Sequence, residues 1–267
     1  MNVYLRELRS DCRGFAVWAA VLAFFVVVGT YKFTGMQGVA GDQAMQLLES
    51  FPRPVLAMFG LASTNAMEFG GFFAMIEFYA VIIVSAYALL LGVSTVSREI
   101  SDGTGEFLYT MPVSRGRVLA EKLGAALTLV VGAVAVNAAS AAGAAAALGS
   151  AVEGIDVAPI VLAGSGWVAL TGLFFLALGA ALSASLPDAR LASRVGMSAL
   201  VLAYAASVAL DLLGDDAGWV RVLSPIRYIN MNDVASGVVT IGGAAAIVVL
   251  AALLLAVAFR AFSRRDA

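Results

Sequence analysis

Six apolar runs decide what this chain can fold into: Phe15–Val28 continued to Thr34, Phe72–Val96, Val118–Leu148, Pro159–Leu186, Val195–Leu213 and Val238–Phe259. Each approaches or exceeds the ~20 residues an α-helix needs to cross a hydrocarbon core. Inside a bilayer no water satisfies the backbone, so a helix, which bonds its own N–H and C=O groups, is the form such a run takes. Composition agrees: 61% of residues are hydrophobic and 13% charged, with a mean hydropathy of +0.95. Soluble domains are about half apolar and about a quarter charged. The predicted fold class is therefore all-α, a polytopic membrane protein with six transmembrane helices. Too little chain remains for a folded soluble domain, so residues 1–267 are expected to form a single transmembrane domain.

The basic residues orient it. With both termini inside, the inner segments hold twelve: Arg6, Arg9, Arg13, Arg98, Arg115, Arg117, Lys122, Arg190, Arg194, Arg260, Arg264 and Arg265. The outer side then keeps four, Lys32, Arg53, Arg221 and Arg227. The positive-inside bias thus predicts cytoplasmic termini. A sequence pI near 5.2 gives no reason to expect a nucleic-acid partner. Cys12 is the only cysteine, which rules out an intrachain disulfide and reads as a small packing residue. A cleavable signal is disfavoured, because Glu7 and Asp11 interrupt the basic start and Lys32 separates the apolar run from Gly38-Val39-Ala40.

Within residues 1–13, Leu5, Leu8 and Cys12 share one helical face and Arg6, Arg9 and Arg13 an adjoining one. The segment reads as an N-terminal interfacial helix or as a basic flank that only sets topology. The loop Gly35–Gly71 mixes a short helix candidate, Ala44–Phe51, with Pro52-Arg53-Pro54 and the apolar Val55–Leu61, a composition for a partly structured loop on the membrane. Ala138–Ala147, Gly164-Ser165-Gly166, Gly172 and Gly179 offer small faces on which helices can approach closely, or reflect alanine-rich composition alone. Asp211–Ser236 is too polar to span. Its aromatic and apolar residues, Trp219 and Tyr228 among them, suit an outer re-entrant or interfacial hairpin broken by Pro225.

Much chemistry is missing. No histidine occurs, which removes Ser-His-Asp catalysis and the usual His-containing zinc sites. Lysine occurs only at Lys32 and Lys122, neither within a phosphate-loop pattern, so any ATP-driven work needs a second subunit. Candidate pathway residues are few. Glu77 and Asp211 lie toward outer helix ends, where each can serve a pathway or reach outward to water; Asn137 sits inside the third run and reads mainly as an interhelical hydrogen-bonder.

One dense polar island, Ser97 to Arg115, separates the second and third runs. Asp102-Gly103-Thr104 breaks the preceding helix, Asp102 or Thr104 can cap a new one, and Glu106 suits its positive N-terminus. Phe107, Leu108 and Met111 then fall on one side, Pro112 ends the helix, and Ser114 can cap the next. A short helix with apolar knobs between charged ends fits a groove on another protein, or is an ordinary connection resting on the membrane.

The stretch Arg98-Glu99-x-x-x-Gly103-Thr104-x-Glu106-Phe107-Leu108-x-x-x-Pro112-Val113-Ser114-Arg115, followed by Lys122, resembles the signature of ABC-2 type permease subunits, the membrane halves of bacterial and archaeal ABC exporters. Pro54-Val55-Leu56-Ala57-Met58-Phe59-Gly60 and Leu223-Ser224-Pro225-Ile226-Arg227-Tyr228 add to the likeness, and Gly105 beside Gly103 departs from it by loosening the helix start. The resemblance implies that Glu99, Gly103, Thr104, Glu106, Phe107, Leu108, Pro112 and Arg115 belong to a cytoplasmic coupling helix seated in an ATP-hydrolysing subunit. It implies two ABC ATPase subunits per complex, which bind ATP and Mg. It also implies a second permease subunit, identical or paralogous, and a prokaryotic inner membrane. Trp219, Pro225 and Tyr228 would belong to an outer gate.

The expected function is that of an exporter's permease subunit for a hydrophobic cargo such as a drug, antibiotic, peptide or lipid, not an enzyme and binding no cofactor itself. The rivals are an ion-coupled secondary transporter, which would need an ion pathway the sequence scarcely offers, a lipid-acting membrane enzyme with carboxylates alone, and a non-transporting ABC assembly that senses or remodels the envelope.

Overall fold

The computed structural model describes residues 3–36, 43, 46, 50–62, 64–101 and 115–264. It is all-helical in these residues. Helix α1 (Val3–Tyr31) is followed by a 3-10 turn, Lys32–Met36, and by the short α2 (Arg53–Met58). Next come α3 (Phe69–Ser101), α4 (Arg115–Ala147), α5 (Val157–Ser185) and α6 (Ala189–Leu213). Two 3-10 segments, Gly214–Leu223 and Pro225–Tyr228, lead to α7 (Met231–Ala235) and α8 (Ile241–Arg264). Six of the helices, α1, α3, α4, α5, α6 and α8, are long and apolar enough to cross a membrane.

Residues 3–13 do not form a helix separate from the first span. No proline, and no glycine before Gly14, interrupts them, so α1 runs unbroken for 29 residues. The candidate helix Ala44–Phe51 lies almost wholly outside the described residues.

The central pair is α3 and α5, mostly buried, while α1, α6 and α8 leave most of their apolar surface outward. Phe24, Val201, Leu202 and Ile241 are exposed in this way, as befits lipid-facing positions. The central pair crosses at Gly92 and Gly179. A Cβ on Gly92 would lie 2.2 Å from the Leu176 carbonyl oxygen, and one on Gly179 would lie 2.3 Å from that of Leu89. Only glycine permits this backbone approach, which realises the close packing read from Gly179. Ala138–Ala147 does not behave as one contact face: Ala141, Ala144 and Ala145 are buried, whereas Ala142, Ala146 and Ala147 are exposed, and Ala142 and Ala146 border an apolar cavity of about 560 Å³ beside α5.

The start of α1 and the end of α8 lie at one end of the bundle, the terminal end. There Phe262 of α8 packs with Val96 of α3, Leu119 and Leu123 of α4, and Ala184 of α5. The opposite, distal end holds the segments between α6 and α8.

Candidate functional site

The island opens from the terminal end, and the helices that carry it are the two longest. Each has 33 residues, about 50 Å at the α-helical rise and well beyond the ~30 Å of a hydrocarbon core. Among the candidate coupling residues, Glu99 is helical near the end of α3 and Arg115 is the first residue of α4. Gly103, Thr104, Glu106, Phe107, Leu108, Met111 and Pro112 lie outside the described residues.

The described residues show how this stem is held. Lys122 is 2% exposed; its ammonium donates to the Thr95 carbonyl of α3 at 3.0 Å and stands 4.0 Å from the Glu7 carboxylate of α1. Arg6 pairs with the same carboxylate at 3.0 Å. A buried ammonium requires such compensation, because desolvating an unpaired charge costs several kcal/mol. Lys122 thus fastens three helices at one level, and the island-bearing ends of α3 and α4 continue about 10 Å beyond it. Tyr4 and Thr128 share a hydrogen bond of 2.9 Å, and Phe15 packs over Gly132, so α1 lies parallel along α4. The sequence reading noted Glu7 only as an interruption of the basic start; the signal for its tie was an acid among Arg6, Arg9 and Arg13.

At the distal end the segment after α6 turns back into the bundle. Trp167, about 15 Å inside α5 by helical rise, donates its indole N–H to the Ile226 carbonyl at 2.8 Å. The Ser224 hydroxyl donates to the Ala203 carbonyl, also at 2.8 Å. Ile226, Ile229, Met231 and Val234 are fully buried. Non-helical backbone at this depth is tolerated only where protein satisfies its polar groups; Trp167 and Arg221, which donates to the Arg227 carbonyl at 3.1 Å, do so, while Ser224 ties the segment to α6.

Pro225 marks the break between the two 3-10 segments and is buried. Tyr228 donates to the Val222 carbonyl at 3.0 Å, while Trp219 is exposed beside Val222 and Leu223. A tryptophan deep within an apolar run needs a partner for its N–H, which was the available hint for Trp167.

Asp211 forms an ion pair with Arg227 from this re-entrant segment. Burial lowers the Arg227 guanidinium to about 10, still far above neutrality, so it remains a cation beside that carboxylate. The structure brings Glu77 and Asn137 together but leaves Asp211 apart from them. The Asn137 amide donates to both Glu77 carboxyl oxygens, at 3.1 and 2.9 Å. Glu77 is fully buried and does not reach outward to water. Gly164 makes its room: a Cβ there would fall 2.7 Å from Glu77 Cγ and 2.9 Å from the Phe73 ring. One carboxyl group and one amide meet where α3, α4 and α5 touch, and they tie α3 to α4. Among the described residues no three His, Cys, Asp or Glu side chains gather as a metal site would require.

Six long apolar helices and a re-entrant distal segment define a multi-pass membrane protein. The sequence matches the family described as ABC-2 family transporter protein over residues 1–267, and the chain belongs to that family. It is therefore an ABC permease subunit, a kind of membrane component that normally lacks its own ATPase site and generally works with ABC ATPase subunits. No curated protein matches the chain.

Proposed function

We propose that this subunit exports a hydrophobic cargo, driven by ATP that two partner ATPase subunits bind with Mg and hydrolyse. The observation that carries the reading is the Lys122 tie. Helices α3 and α4, which flank the island, are fastened to each other and to α1 just before the island begins. A push on the island is thereby delivered to three spanning helices together. In this reading Phe107, Leu108 and Met111 are the knobs that enter the ATPase cleft, with Glu99, Gly103, Thr104, Glu106, Pro112 and Arg115 shaping and orienting the coupling helix. Both termini face the cytoplasm of a prokaryotic cell, and a second permease subunit completes the pathway. The segment holding Trp219, Pro225 and Tyr228 closes the outer exit, and the Gly92–Gly179 crossing lets α3 and α5 slide.

The test is coupling in proteoliposomes of the permease with its ATPase. Phe107→Asp places a charge in a desolvated groove, a penalty of a few kcal/mol. Export is expected to fall at least tenfold in that variant. Export that persists with the ATPase removed would replace this reading with an ion-coupled carrier.

A further inference from the structure

On the terminal-end side of the bundle a cavity of about 300 Å³ lies between α1 and α3, walled by Asp11, Phe15, Trp18, Tyr87, Leu90 and Leu91. Its chemistry differs from that of the apolar cavities elsewhere on the chain. The rings of Trp18 and Tyr87 stand with centroids 5.5 Å apart and planes tilted by 35°, too close to admit anything between them, so they form one aromatic corner. Phe15 adds a third ring to the wall, and Asp11 supplies its carboxylate. Tyr87 is 4% exposed, yet its hydroxyl has no hydrogen-bond partner among the described residues. The oxygen is itself sealed from solvent, so what Tyr87 gives the wall is its ring.

We propose that this cavity binds an organic ammonium group carried on an apolar body. Ring faces attract a cation through their quadrupoles, most strongly when the cation is desolvated, and aromatic pockets recognise quaternary ammonium groups in this way. The Asp11 carboxylate favours the same charge and disfavours an anion; it also makes other interactions within the protein, so the rings share the recognition. Leu90 and Leu91 receive the apolar body. An amine-bearing lipid headgroup and a free amphiphilic cation share this chemistry. The inference extends the export reading by naming a ligand class, but binding here needs neither an ATPase nor transport.

The test uses the full-length chain in nanodiscs of phosphatidylglycerol, whose headgroup has no amine, with radiolabelled phenyltrimethylammonium as probe. Saturable binding above that of empty discs is expected, displaced by unlabelled cation and not by tert-butylbenzene, its neutral isostere. Trp18→Leu and Asp11→Asn should each weaken binding at least tenfold, and Trp18→Phe, which keeps a ring, should lose less. Adding phosphatidylethanolamine separates the sources: competition assigns the site to a lipid headgroup, and unchanged binding assigns it to a free cation. Absence of saturable binding, equal displacement by tert-butylbenzene, or wild-type affinity in Trp18→Leu would overturn the proposal. The isostere comparison stands even if a variant fails to fold, and none of these results bears on whether an ATPase docks at the island.

Discussion

Replacing Lys122 by methionine keeps the length and volume of the side chain and deletes its charge. In the native chain the ammonium donates to the Thr95 carbonyl at 3.0 Å and stands 4.0 Å from Glu7, with the Lys122 and Glu7 side chains 1% and 8% exposed. Removing one member of a buried ion pair costs about 3–5 kcal/mol, chiefly because the other charge is stranded. Two features reduce that figure. Arg6 still pairs with Glu7 at 3.0 Å, and the Lys122–Glu7 separation is long for an ion pair. The Lys122→Met loss is therefore about 2 kcal/mol, below the range for breaking a close, isolated buried charge pair.

The discriminating measurement is a double-mutant cycle with Glu7→Gln, read as unfolding free energy in mixed micelles. If Glu7 and Lys122 act on each other, the double variant is less destabilised than the sum of the singles by about 1 kcal/mol. Strict additivity would refute the claim that this tie joins α1 to the island's stem.

Three further outcomes follow from the packing. Gly92→Ala should cost several kcal/mol or abolish folding, since its Cβ would lie 2.2 Å from the Leu176 carbonyl oxygen; near-native yield and thermal stability would contradict the helix crossing. Asn137→Leu removes the donor to both Glu77 oxygens and should cost about 1–3 kcal/mol, with much of the loss recovered by adding Glu77→Leu; stability unchanged in the single variant would show the pair is not a tie. Trp167→Phe frees the Ile226 carbonyl. In a Cys12→Ser background it should raise the maleimide reactivity of a cysteine substituted at Met231, which is fully buried, and protection equal to that of the Trp167 parent would count against the re-entrant arrangement.

The six spans could be read from the sequence because hydropathy needs only local composition. Their ends at the terminal side could not, since residues 3–13 and 97–101 are polar yet contain nothing that stops a helix. Hydropathy reports where a helix leaves lipid, not where it unwinds. The distal segment was legible from Pro225 and its mixture of aromatic and charged residues, whereas its anchoring to Trp167 depends on a contact 59 residues away in sequence. Glu77 shows the same limit. Its place near a helix end suggested a route to water, but Asn137 of α4 and Gly164 of α5 enclose it, and no local pattern encodes those neighbours. The island's chemistry was visible in its residues, while the Glu7–Lys122 tie that steadies its stem joins positions far apart in the chain.

The central claim is that the island grips an ATP-hydrolysing partner. Its most direct test is purification of the tagged chain in mild detergent from cells that also make its ATPase, in parallel with Leu108→Asp. The account predicts that the ATPase accompanies the native chain and is lost from the variant, while the variant retains a native elution profile. An ATPase that remains bound equally to Leu108→Asp, or a native chain that purifies without one, would contradict it.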